Sequence, residues 1–146
     1  MFDDAEPGAV EGAANAIFFN HGQCCVAGSR LFVQQSRFDE VVDGVAEIAK
    51  SIKLGSGMEQ GTQMGPLVSD EQLQRVTGYL ESGRADGATA VTGGGRFGDR
   101  GYFVEPAGVV PGQLAGGGHP ASVVLYLGGG HPAPLRGRPG RLRSDS

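Results

Sequence analysis

Two adjacent cysteines, Cys24 and Cys25, stand at the centre of the stretch FFNHGQCCVAGSR that runs from Phe18 to Arg30. Gly22, Ala27 and Gly28 remove side-chain bulk on both sides of them, so the backbone can turn sharply there and a substrate can come close. Covalent catalysis at a carbonyl needs a thiol placed in this way. A free thiol titrates near pH ~8.5, so only a few per cent is thiolate at neutral pH unless a nearby charge or dipole favours the anion. Gln23, Arg30 and the loop amides are the local groups that could do so. Taken alone, a cysteine between glycines is more often structural than catalytic.

Other uses of the two thiols are excluded by spacing. Neighbouring residues hardly ever form a disulfide, because the geometry strains the peptide between them. A zinc site needs further ligands at short spacing, and His21, His119 and His131 are scattered along the chain. Free thiols point to a reducing compartment, so a cytoplasmic location is expected. The opening MFDDAEP is acidic, and no apolar run is long enough to span a bilayer. A net charge of −4 and a pI near 5.3 give no basic footprint for nucleic acid.

The whole motif says more than the cysteine does. FFNHGQCCVAGSR resembles the cysteine motif of the aldehyde dehydrogenase superfamily, F-x-N-x-G-Q-x-C-x-A-G-x-R, at every fixed position. The resemblance continues through LFVQ (Leu31 to Gln34), GPLVS (Gly65 to Ser69), Gly93 to Gly95 and GYFVEP (Gly101 to Pro106). It implies Cys25 as the nucleophile, with Cys24 on a variable position lining the pocket and Asn20 bracing the loop. It also implies an aldehyde substrate, NAD or NADP as cofactor, and a catalytic-domain piece of an enzyme that leaves homo-oligomerisation open. In such enzymes the thiolate forms a thiohemiacetal, hydride leaves to the nucleotide, and water activated by a glutamate hydrolyses the resulting thioester to a carboxylic acid.

Three parts of that machinery have no counterpart in this sequence: the upstream glutamate base, the upstream asparagine of the oxyanion hole, and the nucleotide-binding domain. Glu6 and Glu11 do not fit the family's E-L-G-G-K motif. The expectation is a chain that begins inside a domain and is inactive by itself. Two readings compete with it. One is a non-catalytic, truncated or degenerate α/β fragment acting at most as an oligomer partner; the other is a cofactor-free thiol enzyme.

The elements that must position the cysteines follow from periodicity. Val10, Ala13, Ala14 and Ile17 form one apolar stripe of a helix entering the loop, with Pro7 suited to its first turn. Leu31 to Val33 reads as a buried strand. Ser36 and Asp39 form a partial capping box before a helix carrying Phe38, Val41, Val42, Val45, Ile48, Ala49 and Ile52. Gly55 to Pro66 reads as a loop. Ser69 to Gln72 caps a further helix through Leu73, Val76, Tyr79 and Leu80, which Gly83 can close. Ala88 to Thr92 and Tyr102 to Val104 read as extended, and the glycine run at 93–95 as a turn, since it lacks the G-x-G-x-x-G spacing of a phosphate cradle. This alternation predicts an α/β, three-layer-like arrangement with a mostly parallel sheet, the same class that the resemblance implies.

Residues 1–106 form this aldehyde dehydrogenase-like part, and the character changes at Ala107. Fifteen of the 40 residues from 107 to 146 are Gly or Pro, and the charge balance moves from −7 before the boundary to +3 after it, through Arg136, Arg138, Arg141 and Arg143. Such a segment buries too little apolar area to offset its ordering entropy, so residues 107–146 are expected to be disordered, with Ser122 to Leu127 a short strand at most. The family's E-E-x-F-G-P motif is missing after Pro106. The expectation is a change of reading frame or a gene-end artefact, motivated by a match that breaks at one residue, with a natural, solvated arginine-containing tail as the alternative. One shifted frame of the coding DNA beyond Pro106 is then expected to restore that motif, and a coding sequence in which no single shift restores it contradicts the explanation.

Overall fold

The computed structural model describes residues 1–110 and 121–126. Three helices, α1 (Ala9–Phe18), α2 (Phe38–Ser51) and α3 (Asp70–Ala85), accompany four strands, β1 (Arg30–Val33), β2 (Thr89–Thr92), β3 (Ala107–Val110) and β4 (Ala121–Tyr126). The strands form one sheet in the order β1-β4-β3-β2.

The apolar stripes are buried as their spacing dictates. On α2 the buried residues are Val41, Val42, Val45, Ala46 and Ala49, and on α1 they are Ala14, Ile17 and Phe18. These two helices pack together with Val33 of β1 and with Met64 into one core. Leu67, Leu73, Val76 and Leu80 form a second core with Val104, Ala107 and Val109. Val110 packs against the first core and Val109 belongs to the second. Successive strand residues point to opposite faces, so the cores lie on the two sides of the sheet and the layers are α1 and α2, sheet, α3.

The mostly parallel sheet is not what the strands make. All three ladders are antiparallel, with Arg30 opposite Val124, Val109 opposite Val124, and Ala90 opposite Val109. The reason lies in β4, which enters between β1 and β3 and runs against both. β1 and β3 therefore point the same way, as the alternation of elements implies, but a strand from the far side of the 106 boundary separates them. The expected disorder of residues 107–146 accordingly fails for Ala107–Val110, while Ala121–Tyr126 forms the short strand expected to begin at Ser122; both backbones gain ladder hydrogen bonds on joining the sheet. Residues 111–120 and 127–146 lie outside the described residues.

Smaller differences concern the ends of the elements. Ser36 lies in a short 3₁₀ turn and its hydroxyl donates to Asp3, so α2 has no side-chain cap. Helix α1 starts at Ala9, after Pro7 and a left-handed Gly8. On β1, Val33 is fully buried in the core of α1 and α2, but Phe32, which points to the opposite face, remains 55% exposed. Ser69 does cap α3, accepting from the Gln72 amide at 3.2 Å. That helix runs through Gly83 and is stopped by Gly87, whose φ of +84° suits glycine.

Gly93 shows the strictest backbone requirement. Its φ is +56°, and a Cβ there would stand 2.1 Å from the Pro106 carbonyl oxygen. Gly93→Ala is expected to destabilise the chain by about 2–4 kcal/mol, from backbone strain together with the clash. Gly78→Ala, in the open middle of α3, should stabilise by about 0.5–1 kcal/mol. Urea midpoints of the two variants, moving in opposite directions, check both.

Candidate active site: the cysteine loop

Helix α1 hands the chain to the cysteine loop through an abrupt reversal. Asn20 (φ 49°), His21 (φ 59°) and Gly22 (φ 66°) all take left-handed backbone angles, one after another. Glycine does so freely and asparagine tolerably, whereas a left-handed histidine costs on the order of 1–2 kcal/mol.

Hydrogen bonds hold this reversal. The Gln23 amide donates to the Asn20 carbonyl at 2.9 Å, and Asn20 Nδ2 donates back to the Gln23 carbonyl at 3.1 Å. The Gln23 side chain reaches further, its Oε1 accepting from the Val68 amide at 3.1 Å and its Nε2 lying 3.4 Å from His21 Nδ1. Next, the Ala27 amide closes a turn on the Cys24 carbonyl at 3.1 Å, and the Gly28 amide returns to the Ala16 carbonyl of α1 at 2.9 Å. A Cβ at Gly28 would stand in van der Waals contact with the Ala16 methyl, at 3.4 Å.

The cysteines ride on this brace. Both are free thiols; Cys24 is half-buried, and Cys25 is exposed within the turn between Cys24 and Ala27. The expected nucleophile is therefore open to solvent. Asn20 braces the loop with its side-chain amide, as its place in the motif implies. Neither cysteine lines the cleft of about 590 Å³ next to the loop, which lies between α1, the end of α2 and residues 63–65. His21 and Phe19 face that cleft instead.

His21 is the titratable group tied most closely to the loop. Its Nε2 is buried and makes no hydrogen bond among the described residues, although it faces the Gly65 backbone. Burial pushes the imidazole pKa below its ordinary value, and the backbones at Asn20 and Gly65 oppose that shift without reversing it.

Among the described residues, no helix start offers a nucleotide a favourable seat. The first turns of α1, α2 and α3 carry Glu11, Asp39 with Glu40, and Asp70 with Glu71, all of which would repel a pyrophosphate at a helix N-terminus. The glycine run at 93–95 follows β2 and opens no helix. Among the described residues, these helix starts and this glycine run do not fit NAD or NADP. No group of three or more His, Cys, Asp or Glu side chains is arranged for a metal among the described residues, and none of their helices is long and apolar enough to cross a membrane.

Comparison with known proteins decides the kinship. The model of the aldehyde dehydrogenase family matches residues 1–110. The chain belongs to the aldehyde dehydrogenase family. An aldehyde dehydrogenase of Emericella nidulans is 47% identical over 107 residues, 73% of this chain and 22% of that protein. Phenylacetaldehyde dehydrogenase of Pseudomonas fluorescens is 48% identical over 99 residues, 67% of this chain and 20% of its own length. Among solved structures, the NAD+ complex of aldehyde dehydrogenase from Bacillus cereus superposes with a TM-score of 0.67 at 49% identity, covering 68% of this chain and 20% of that one. Betaine aldehyde dehydrogenase of Staphylococcus aureus, also with NAD+, gives 0.70 at 39% identity over 74% of this chain and 22% of the other. This aldehyde dehydrogenase chain thus spans about a fifth of the length of the relatives it matches.

Two site residues escaped the sequence reading. His21 occupies a variable position of the motif, and Val68 lies 45 residues from the side chain that holds its amide. GPLVS was visible as family-like, but nothing in one sequence assigns its partner.

The lowered pKa of His21 has a definite sign. Between its native value and the unfolded one near ~6.5, the unfolded chain binds more protons, so this contribution to stability is present above about pH 6.5 and is lost as pH falls through the native value. The NMR titration of His21 should have its midpoint below 6.5, and His21→Gln should flatten the loss of stability between neutral and mildly acidic pH. A midpoint at or above the ordinary value contradicts this.

Proposed function

We propose that this chain is the nucleophile-bearing part of an NAD(P)-dependent aldehyde dehydrogenase, and that Cys25 is the residue that bonds to the substrate. What carries the reading is the exposed Cys25 thiol in a turn whose backbone is braced at Asn20, Gln23, Ala27 and Gly28, together with the family match over residues 1–110.

The step that these residues support is addition. The Cys25 thiolate attacks an aldehyde carbonyl carbon, a C–S bond forms, and the carbonyl π pair moves to oxygen as a thiohemiacetal oxyanion. Backbone N–H groups in the loop stabilise that charge without reorganising, since the turn already fixes their direction. The similar Bacillus cereus structure, an NAD+ complex, supports a nicotinamide acceptor for the intact enzyme. The described residues offer that acceptor no seat, so the oxidation is assigned to an assembly in which other chain supplies the nucleotide and the base.

A second reading, a non-catalytic piece that functions at most as an oligomer partner, is favoured by the apolar side chains left open beside the loop, with Phe19 64%, Val26 83% and Val68 79% exposed. The two separate experimentally. The purified chain, given an aldehyde with NAD or NADP, is expected to give no reduced cofactor above a Cys25→Ser control, while Cys25 is alkylated by iodoacetamide faster than Cys24. A Cys25-dependent rise in reduced cofactor would overturn the assignment of the later steps elsewhere. A Cys25 alkylated no faster than Cys24 would favour the non-catalytic reading.

A further inference from the structure

We propose that Gln23 is a positioning residue whose carboxamide locks the cysteine loop to the Met64–Val68 segment, and that the lock requires His21 to be unprotonated at Nδ1. The catalytic meaning of this rests on Cys25 being the nucleophile; the lock itself does not.

The direction of the carboxamide is fixed by chemistry. The Val68 amide can only donate, so the group that faces it at 3.1 Å must be Gln23 Oε1. The NH₂ end is then turned to His21 Nδ1 at 3.4 Å, and that contact is favourable only when Nδ1 has a free lone pair. A proton on Nδ1 would set two donors against each other. Relief requires rotation of the carboxamide, which carries Oε1 away from Val68 and opens the link.

Its position makes the link matter. Met64 is buried in the core of α1 and α2, and Leu67, three residues on, is buried in the core of α3. The segment between them passes from one core to the other, and Gln23 holds it by a side chain one residue before Cys24. The loop is therefore referenced to both cores at once. Among the residues lining the cleft beside His21, Glu11 is the one other titratable group, and Ile48 and Ile52 from α2 bring no charge.

Two variants of the full chain separate this role from mere packing. Gln23→Met keeps the bulk and removes both polar ends; Gln23→Glu keeps an acceptor for Val68 and sets a carboxylate toward His21. Hydrogen exchange at the Val68 amide is expected to quicken about five- to tenfold in Gln23→Met and to stay slow in Gln23→Glu, the range that one lost hydrogen bond gives. The His21 titration midpoint should rise in Gln23→Glu, because the carboxylate favours the imidazolium. Iodoacetamide alkylation of Cys25, in a Cys24→Ser background, should change in Gln23→Met and much less in Gln23→Glu. Unaltered Val68 exchange in Gln23→Met overturns the proposal, as does an unmoved His21 midpoint in Gln23→Glu, which decides the matter if Gln23→Met does not fold. Altered Val68 exchange with unchanged Cys25 alkylation leaves the nucleophile reading intact and overturns the positioning role.

Discussion

Three successive left-handed residues at the end of α1 are the constraint from which the rest follows. Only there can the chain leave a helix, reverse, and set a thiol in solvent before entering β1. The conformation is costly at His21, and it persists because the surrounding groups determine it several times over: Asn20 and Gln23 bond to each other in both directions, Gly28 returns to α1, and Gln23 reaches Val68. Helix α1 is in turn held by α2, where a Cβ at Gly44 would come within 2.8 Å of the Val10 side chain. Close helix packing thus fixes where the loop starts, and hydrogen bonds fix where it points.

The layering gives that loop its rigidity. The two cores lie on opposite faces of the sheet, and β3 contributes Val110 to one and Val109 to the other. The two cores share no buried residue among those described. A polar contact through the loop, modest in net free energy by itself, therefore gains influence from where it lies rather than from its strength.

Legibility in the sequence followed the range of the interactions. Helices α2 and α3 were readable because their apolar stripes and the Ser69 cap are local signals, and the cysteine motif was readable because its fixed positions are contiguous. Strand direction was not. Periodicity reports which face of a strand is buried but says nothing of its neighbour, and β4, from a segment whose Gly and Pro content argued for disorder, separates β1 from β3. Ser36 illustrates the same limit at one residue, its hydroxyl turning from the helix it precedes to Asp3, 33 positions away. His21 was hidden for another reason, since a variable position in a motif acquires a role only when its neighbours in space are known.

The surface around the thiol bears on how the chemistry is divided. Val26 follows Cys25 directly and is almost fully exposed, as is Val68 beside the Gln23 carboxamide. Bare valines next to the proposed nucleophile are a poor arrangement for a finished active site, where water must be excluded so that a thiohemiacetal oxyanion gains from nearby dipoles. The acidic first turns of all three helices work in the same direction, since they disfavour the anionic cofactor that an oxidation needs. Both features are consistent with one division of labour. This chain shapes the bend that carries the sulfur, and under the proposed function the walls that would dry the site and hold a nucleotide are supplied by other chain, this one spanning only about a fifth of the relatives it matches.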